Sequence, residues 1–153
     1  MAAVKSFRTS HMVAAGVKFD VIGLSYYPWY HGPMTAMKAN LTALIDRFGK
    51  YVMIAEDQFP YNPIGGYGQY NAANANYPDT LPGYLVTPDG QASYQRDLVS
   101  LVASLPGHKG LGVFYWDGDS DSYQGMFAYP GIAQPVIDSY QIGTTPVASG
   151  DAP

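Results

Sequence analysis

Three short apolar runs are spaced along this chain, and each ends in a group of polar and aromatic residues. Apolar runs without alternation are typical of strands that are buried on both faces of a sheet. They predict strands at 20–27, 51–56 and 110–116. Because helical patterns separate these strands, the order of elements indicates a parallel sheet with right-handed crossovers. The sequence therefore predicts an α/β fold.

Glycine and proline mark the ends of the helices between the strands. Pro33 suits the first turn of one helix, and Gly49 suits the left-handed position beyond its end. A second helix is expected to begin with Thr87 as its N-cap and Pro88 at its first position. Shorter helices are predicted at 7–16 and 134–140. The stretch from 57 to 86 shows no periodicity and predicts a long loop.

The charge and composition exclude several classes of protein. The chain has 153 residues, a formal net charge of -4 and only 8 Lys and Arg. A basic surface for nucleic acid is therefore not expected. No apolar run approaches the length of about 20 residues that spans a bilayer, and no export signal is visible at the start. The chain contains no cysteine, so thiolate chemistry is ruled out.

The chemistry of a parallel sheet or β/α barrel lies at the carboxyl ends of its strands. Glu56 ends the second strand and is therefore the leading candidate for a nucleophile or an acid/base. An ion pair at the rim is the alternative. Asp57 should point the opposite way and be structural or solvated. The other candidates at or just beyond a strand end are Ser25, Tyr26, Tyr27, His31, Trp116 and Asp117.

Two further features leave alternatives open. The chain has 14 Tyr, 6 Phe and 2 Trp, which indicates either a cleft that stacks on sugars or a tyrosine-rich loop surface. Asp117, Asp119 and Asp121 alternate as calcium ligands do. An EF-hand is excluded because Ser122 and Ala128 stand at its sixth and twelfth positions. A looser calcium site or a solvated acidic loop remains.

Several segments resemble one family. Residues 19–29, with His31 and Gly32, are similar to the sixth-strand signature of the arabinogalactan endo-β-1,4-galactanases, glycoside hydrolase family 53. Residues 52–56 lie where that family has its seventh strand, and 110–116 resemble its eighth. Shorter matches follow in family order at 38–41, 47–50, 76–78, 88–92 and 96–98. The resemblance covers about residues 7–140.

The resemblance implies a retaining β-1,4-galactanase that acts on the galactan of pectin side chains. Residues 1–142 would form the last three units of a (β/α)8 TIM barrel, followed by a flexible tail at 143–153. Glu56 would be the nucleophile, and Tyr26 or Tyr27 would orient it. The substrate-binding residues would be Ser25, Tyr26, Tyr27, Trp29, His31, Trp116 and Asp117. Secretion is implied, no cofactor is required, and calcium binding stays open.

The chain departs from the family pattern in one respect that affects catalysis. The family's acid/base is a glutamate in an Asn–Glu pair after the fourth strand, whereas Glu56 is the only glutamate here. One hypothesis is that other barrel strands complete the site, and a second is a retaining β-glycosidase that uses Glu56 with Asp117. A third is a fragment that binds galactan or self-associates. The aromatic residues for such binding are Trp29, Tyr30, Tyr67, Tyr70 and Trp116.

The predicted strands also bear on partners. The outer strands of a three-stranded sheet have open edges, so the chain is expected to form homo-oligomers or to associate with a complementing barrel fragment.

Overall fold

The computed structural model describes residues 9–62, 80–81, 83–119, 123–128 and 131–141. Seven strands are present in this part of the chain: β1 (Val21–Tyr26), β2 (Tyr51–Asp57), β3 (Thr80–Leu81), β4 (Tyr84–Leu85), β5 (Gly110–Tyr115), β6 (Phe127–Ala128) and β7 (Ile132–Ala133). The α-helices are α1 (Pro28–His31), α2 (Met34–Phe48) and α3 (Pro88–Ala103). Helical turns also occur at residues 9–14, and 3-10 helices at Pro106–His108 and Pro135–Gln141.

The central sheet has the order β1–β2–β5, and both pairs of neighbouring strands are parallel. The predicted α/β architecture and its three strands are therefore confirmed, although β5 ends at Tyr115 and β2 extends to Asp57. Two short antiparallel hairpins, β3–β4 and β6–β7, were not predicted. The first hairpin falls within the stretch that was expected to be a loop. Tyr67, Tyr70 and the predicted tail lie outside the described residues.

The end of α2 and the start of α3 follow the predicted chemistry, whereas Pro33 stands at the N-cap of α2 and not in its first turn. Gly49 closes α2 with a φ of 65°, which is the left-handed conformation that glycine adopts without strain. The Thr87 hydroxyl accepts the Gly90 N–H at 3.0 Å and caps α3. The short helix α1 was not predicted, and Pro28 occupies its first turn.

Among the residues that the structure describes, only one face of the central sheet is covered. Ile22, Leu24, Val52 and Ile54 pack against α2 and α3, and Leu98 of α3 is fully buried among them. The opposite face, which we call the open face, carries large apolar side chains exposed to solvent, namely Val21, Tyr51, Leu111, Phe114 and Trp116. The prediction that the strands are buried on both faces is therefore wrong for the chain by itself, because nothing in the described residues covers the second face.

No helix in the described segments is long and apolar enough to cross a bilayer.

A leucine-to-alanine substitution on each face of the sheet compares how much the two faces contribute to the free energy of unfolding. Leu98→Ala should lower the free energy of unfolding by about 2–5 kcal/mol, because Leu98 is 0% exposed and its truncation leaves a cavity. Leu111→Ala on the open face should cost less than about 1 kcal/mol, because Leu111 is 53% exposed. Denaturant unfolding followed by circular dichroism measures both values. Similar losses for the two variants would show that the open face is covered in solution.

Candidate functional site

A β-bulge at the end of β2 determines which side chains reach the open face. Val52 and Ile54 point towards the helices, so strict alternation would also send Glu56 into the core. The pairing with β1 skips one residue here, since Leu24 pairs with Ile54 but Ser25 pairs with Glu56. The extra residue reverses the alternation. Glu56 consequently lies half-buried at the open face, while Asp57 is buried.

The carboxylate of Glu56 is held by two hydroxyl groups from the neighbouring strand end. The Ser25 hydroxyl donates to Oε2 at 3.2 Å, and the Tyr27 hydroxyl donates a short hydrogen bond to Oε1. Ser25 lies in β1, and Tyr27 follows that strand directly. Hydrogen bonds to a charged acceptor are stronger than neutral ones, so this pair orients the carboxylate. Burial is the largest cause, and the hydrogen bond to Glu56 the second, of a pKa of Tyr27 that lies well above its usual range.

Helix α1 adds an aromatic wall beside Glu56. The rings of Tyr27 and Trp29 are 5.1 Å apart, and the Tyr30 ring meets Tyr27 edge-on at 6.3 Å. The Tyr27 backbone N–H donates to His31 Nδ1 at 2.9 Å. Trp29 and His31 therefore lie beside Tyr27, the residue whose hydroxyl contacts Glu56, and Tyr30 remains exposed.

Tyr26 does not belong to this site, and its expected role needs correction. Its side chain is fully buried on the helix side of the sheet, and its hydroxyl donates to the Gly32 carbonyl at 2.8 Å. Ser25 and Tyr27 share the opposite side of the strand, in agreement with a period of two. Of the two tyrosines proposed to orient Glu56, the structure places Tyr27 in contact with it and Tyr26 in the core.

Asp57 is structural and not solvated. It is 0% exposed, and the Tyr94 hydroxyl of α3 donates to its Oδ1 at 2.6 Å. Burial raises the pKa of Asp57 to about 8, although hydrogen bonds from Tyr94, the Gln58 backbone and Gln95 act in the opposite direction. A carboxyl group with this pKa is mostly neutral at pH 7.

The end of β5 contributes Trp116 to the site. Its backbone N–H donates to the Asp57 carbonyl at 2.7 Å, and its own carbonyl accepts from Gln58 Nε2 at 3.2 Å. Trp116 is 56% exposed, which leaves the residue accessible for stacking. Asp117 is also exposed and has a left-handed backbone with a φ of 56°.

The calcium prediction gains no support from the structure. Asp119 is exposed, and Asp121 lies outside the described residues. Among the residues that the structure describes, no group of three or more His, Asp or Glu side chains is arranged to hold a metal ion.

The family model for glycosyl hydrolase family 53 matches residues 2–140. This chain belongs to glycosyl hydrolase family 53. It is 41% identical over 101 residues to the endo-β-1,4-galactanase of Bacillus subtilis, a match that spans 66% of this chain and 23% of that protein. It is also 40% identical over 107 residues to an uncharacterized protein encoded in the bgaB 5' region of Niallia circulans. That match spans 68% of this chain and 28% of the other protein.

Solved structures agree with the family assignment. The family 53 catalytic domain from Ignisphaera aggregans superimposes with a TM-score of 0.77 at 26% identity, covering 92% of this chain and 43% of that one. A fungal β-1,4-galactanase superimposes with a TM-score of 0.73 at 19% identity, which shows the shared fold. The chain is thus part of an α/β barrel of the TIM type. It spans about a quarter of the length of the curated relatives it matches.

The sequence did not reveal two features of the site. The bulge in β2 has no glycine to mark it, because Ala55 and Glu56 stand at the register shift. The pairing of Asp57 with Tyr94 joins residues 37 positions apart, and no local pattern connects them. Strand alternation was the signal that could have separated Tyr27 from Tyr26.

The buried carboxyl of Asp57 predicts how stability depends on pH. Its pKa is about 8 in the folded chain and about 3.9 when unfolded, so the unfolded chain loses this proton first as the pH rises. The free energy of unfolding should therefore fall between pH 4 and 8, by up to about 1.4 kcal/mol per pH unit. Asp57→Asn should flatten this slope. Denaturant midpoints at several pH values measure it, with exposed Asp46→Asn as the matched control. An unchanged slope in Asp57→Asn would contradict the assignment.

Proposed function

We propose that this chain provides the nucleophile half of a retaining endo-β-1,4-galactanase site, with Glu56 as the nucleophile. The observation that carries the proposal is the position of Glu56 at the carboxyl end of β2, held by Ser25 and Tyr27 at the open face. Active sites of TIM barrels lie at this end of the strands. The galactanase name of the Bacillus subtilis relative supports the choice of substrate.

In a retaining mechanism, Glu56 would attack the anomeric carbon and form a covalent glycosyl-enzyme. Its two hydroxyl partners direct the carboxylate, and the wall formed by Tyr27 and Trp29 would offer aromatic rings to a bound sugar. Trp116 would supply a stacking platform from the adjacent strand. A neutral polysaccharide suits this surface, because aromatic and hydroxyl groups predominate around Glu56.

A retaining site also needs a second carboxyl at about 5–5.5 Å that acts as acid and then as base. Glu56 is the only glutamate in the sequence, so in this proposal the acid/base comes from further strands of the barrel. The open face supports this view, because apolar side chains such as Leu111 and Phe114 remain uncovered there. Closing the barrel would bury them and bring the second carboxyl opposite Glu56. The alternative in which Asp117 supplies the acid stays a prediction, as do secretion and calcium binding.

A chimera tests the proposal without depending on the activity of this chain by itself. The segment of the Bacillus subtilis galactanase that corresponds to the family match at residues 2–140 is replaced by those residues of this chain. The chimera should release reducing ends from β-1,4-galactan, because the rest of that barrel supplies the other strands. A folded chimera without activity would contradict the proposed function.

Glu56→Gln in the chimera should lower kcat at least about 10⁴-fold, because the amide cannot form the glycosyl-enzyme. Reducing-sugar release measures the loss. Asp20→Asn is the matched control, since Asp20 is an exposed carboxylate paired with Lys50 at the opposite end of β1. Asp20→Asn should leave kcat within a factor of about two. Retained activity in Glu56→Gln would assign the chemistry to another group.

Tyr27→Phe should lower kcat by about 10–100-fold, because it removes a hydrogen bond to a charged group without removing the ring. Tyr26→Phe is the matched control. It loses the bond to the Gly32 carbonyl and should cost about 1 kcal/mol of stability. It should change kcat less than about threefold. Equal effects of the two variants on kcat would contradict the separate placement of the two rings.

A further inference from the structure

Asp57 joins the end of β2 to two neighbouring elements, to one through its backbone and to the other through its side chain. Its backbone carbonyl accepts the Trp116 N–H at 2.7 Å and so joins β2 to the end of β5. Its side chain accepts from the Tyr94 hydroxyl at 2.6 Å and so joins β2 to α3. Glu56 precedes it in the chain. A shift of Asp57 would therefore displace both Glu56 and Trp116.

The anchor provided by Tyr94 is rigid. Tyr94 is fully buried, and its ring stacks on Phe59 at 4.5 Å and lies 6.4 Å from the ring of Tyr26. A hydroxyl group on a ring packed in this way has little freedom to follow a moving carboxyl group. The end of β2 is thus held at a defined distance from α3.

Asp57 Oδ2 has no donor that could satisfy a negative charge. This atom is buried and has no hydrogen-bond partner among the described residues. Gln95 also interacts with the carboxyl group, and its Nε2 donates to the Tyr140 hydroxyl at 2.9 Å. A carboxylate would place charge on an unpartnered buried oxygen, whereas a neutral carboxyl group would not.

Among the described residues, none of the groups that shift the pKa of Asp57 is basic, and burial is the largest cause of the shift. Glu56, the neighbouring acid, points to the other side of the sheet. The titratable groups that interact electrostatically with the Asp57 carboxyl are phenols. Four come from elements packed around it, namely Tyr26, Tyr94, Tyr115 and Tyr140, and Tyr27 on the open face is the fifth.

We propose that Asp57, as a neutral carboxyl group, is a positioning residue that holds Glu56 and Trp116 in their working arrangement. This inference rests on the proposed function, in which Glu56 is the nucleophile and Trp116 the sugar platform. Loss of the proton leaves a charge on the buried Oδ2, which has no hydrogen-bond partner among the described residues. The end of β2 then shifts to bring a donor or water to the anion, and both site residues move with it.

Fluorescence tests this inference without any catalytic assay. In the 153-residue chain, Trp29→Phe makes Trp116 the only tryptophan. Its emission should show a transition near pH 8 that disappears when Asp57→Asn is added, because the amide does not titrate. Asp46→Asn, an exposed carboxylate on α2, should retain the transition. A transition that persists in Asp57→Asn, or is absent from the parent, overturns the inference.

Kinetics in the chimera separate positioning from a purely structural role. Asp57→Asn should keep kcat within about threefold at pH 7 and abolish a fall in kcat above about pH 8. Asp57→Ala should lower kcat at least about tenfold and change KM less than about threefold. A raised KM with unchanged kcat would overturn the inference. If the unsubstituted chimera cleaves no galactan, the proposed function fails, and the fluorescence result by itself decides the role of Asp57.

Discussion

The extra residue in β2 is the local constraint on which the site depends. Val52 and Ile54 must face the helices to complete the core, and this requirement sets the alternation of the strand. Without the register shift after Ile54, Glu56 would enter the apolar core and Asp57 would face solvent. The bulge places the two acidic side chains on opposite sides of the sheet, in different environments. Glu56 receives two hydroxyl donors at a half-buried surface, and Asp57 becomes neutral under desolvation.

One face of the sheet stabilises the fold, and the other carries the candidate site. The helix face holds the buried cluster, which includes Leu41 and Leu98, and the chain derives its own stability from that cluster. The open face holds the candidate nucleophile together with apolar side chains that water surrounds. In an eight-stranded barrel the same side chains would fill the interior, which is normally packed. The other strands of such a barrel would therefore cover the apolar area that is exposed on these three strands.

The aromatic richness of the chain has two separate uses. Tyr94, Phe59 and Tyr26 form a stacked group in the core beneath the sheet. Tyr27 and Trp29 form the wall beside Glu56 on the other side. Composition indicated either a sugar cleft or a tyrosine-rich surface, and neither description includes the buried group. Tyrosine suits the core here because its hydroxyl groups reach buried acceptors such as Asp57 Oδ1.

The sequence by itself determined the parallel α/β architecture, the caps of α2 and α3, and Glu56 at a strand end, because each depends on local patterns. It also carried the family motifs. Only the tertiary structure decided which face each side chain occupies. The register shift in β2 arises from pairing with β1 and β5, and the burial of Asp57 arises from a helix that follows much later in the chain. Long-range contacts of this kind leave no periodic trace, so Tyr26 and Tyr27 were distinguished only once the strands were paired.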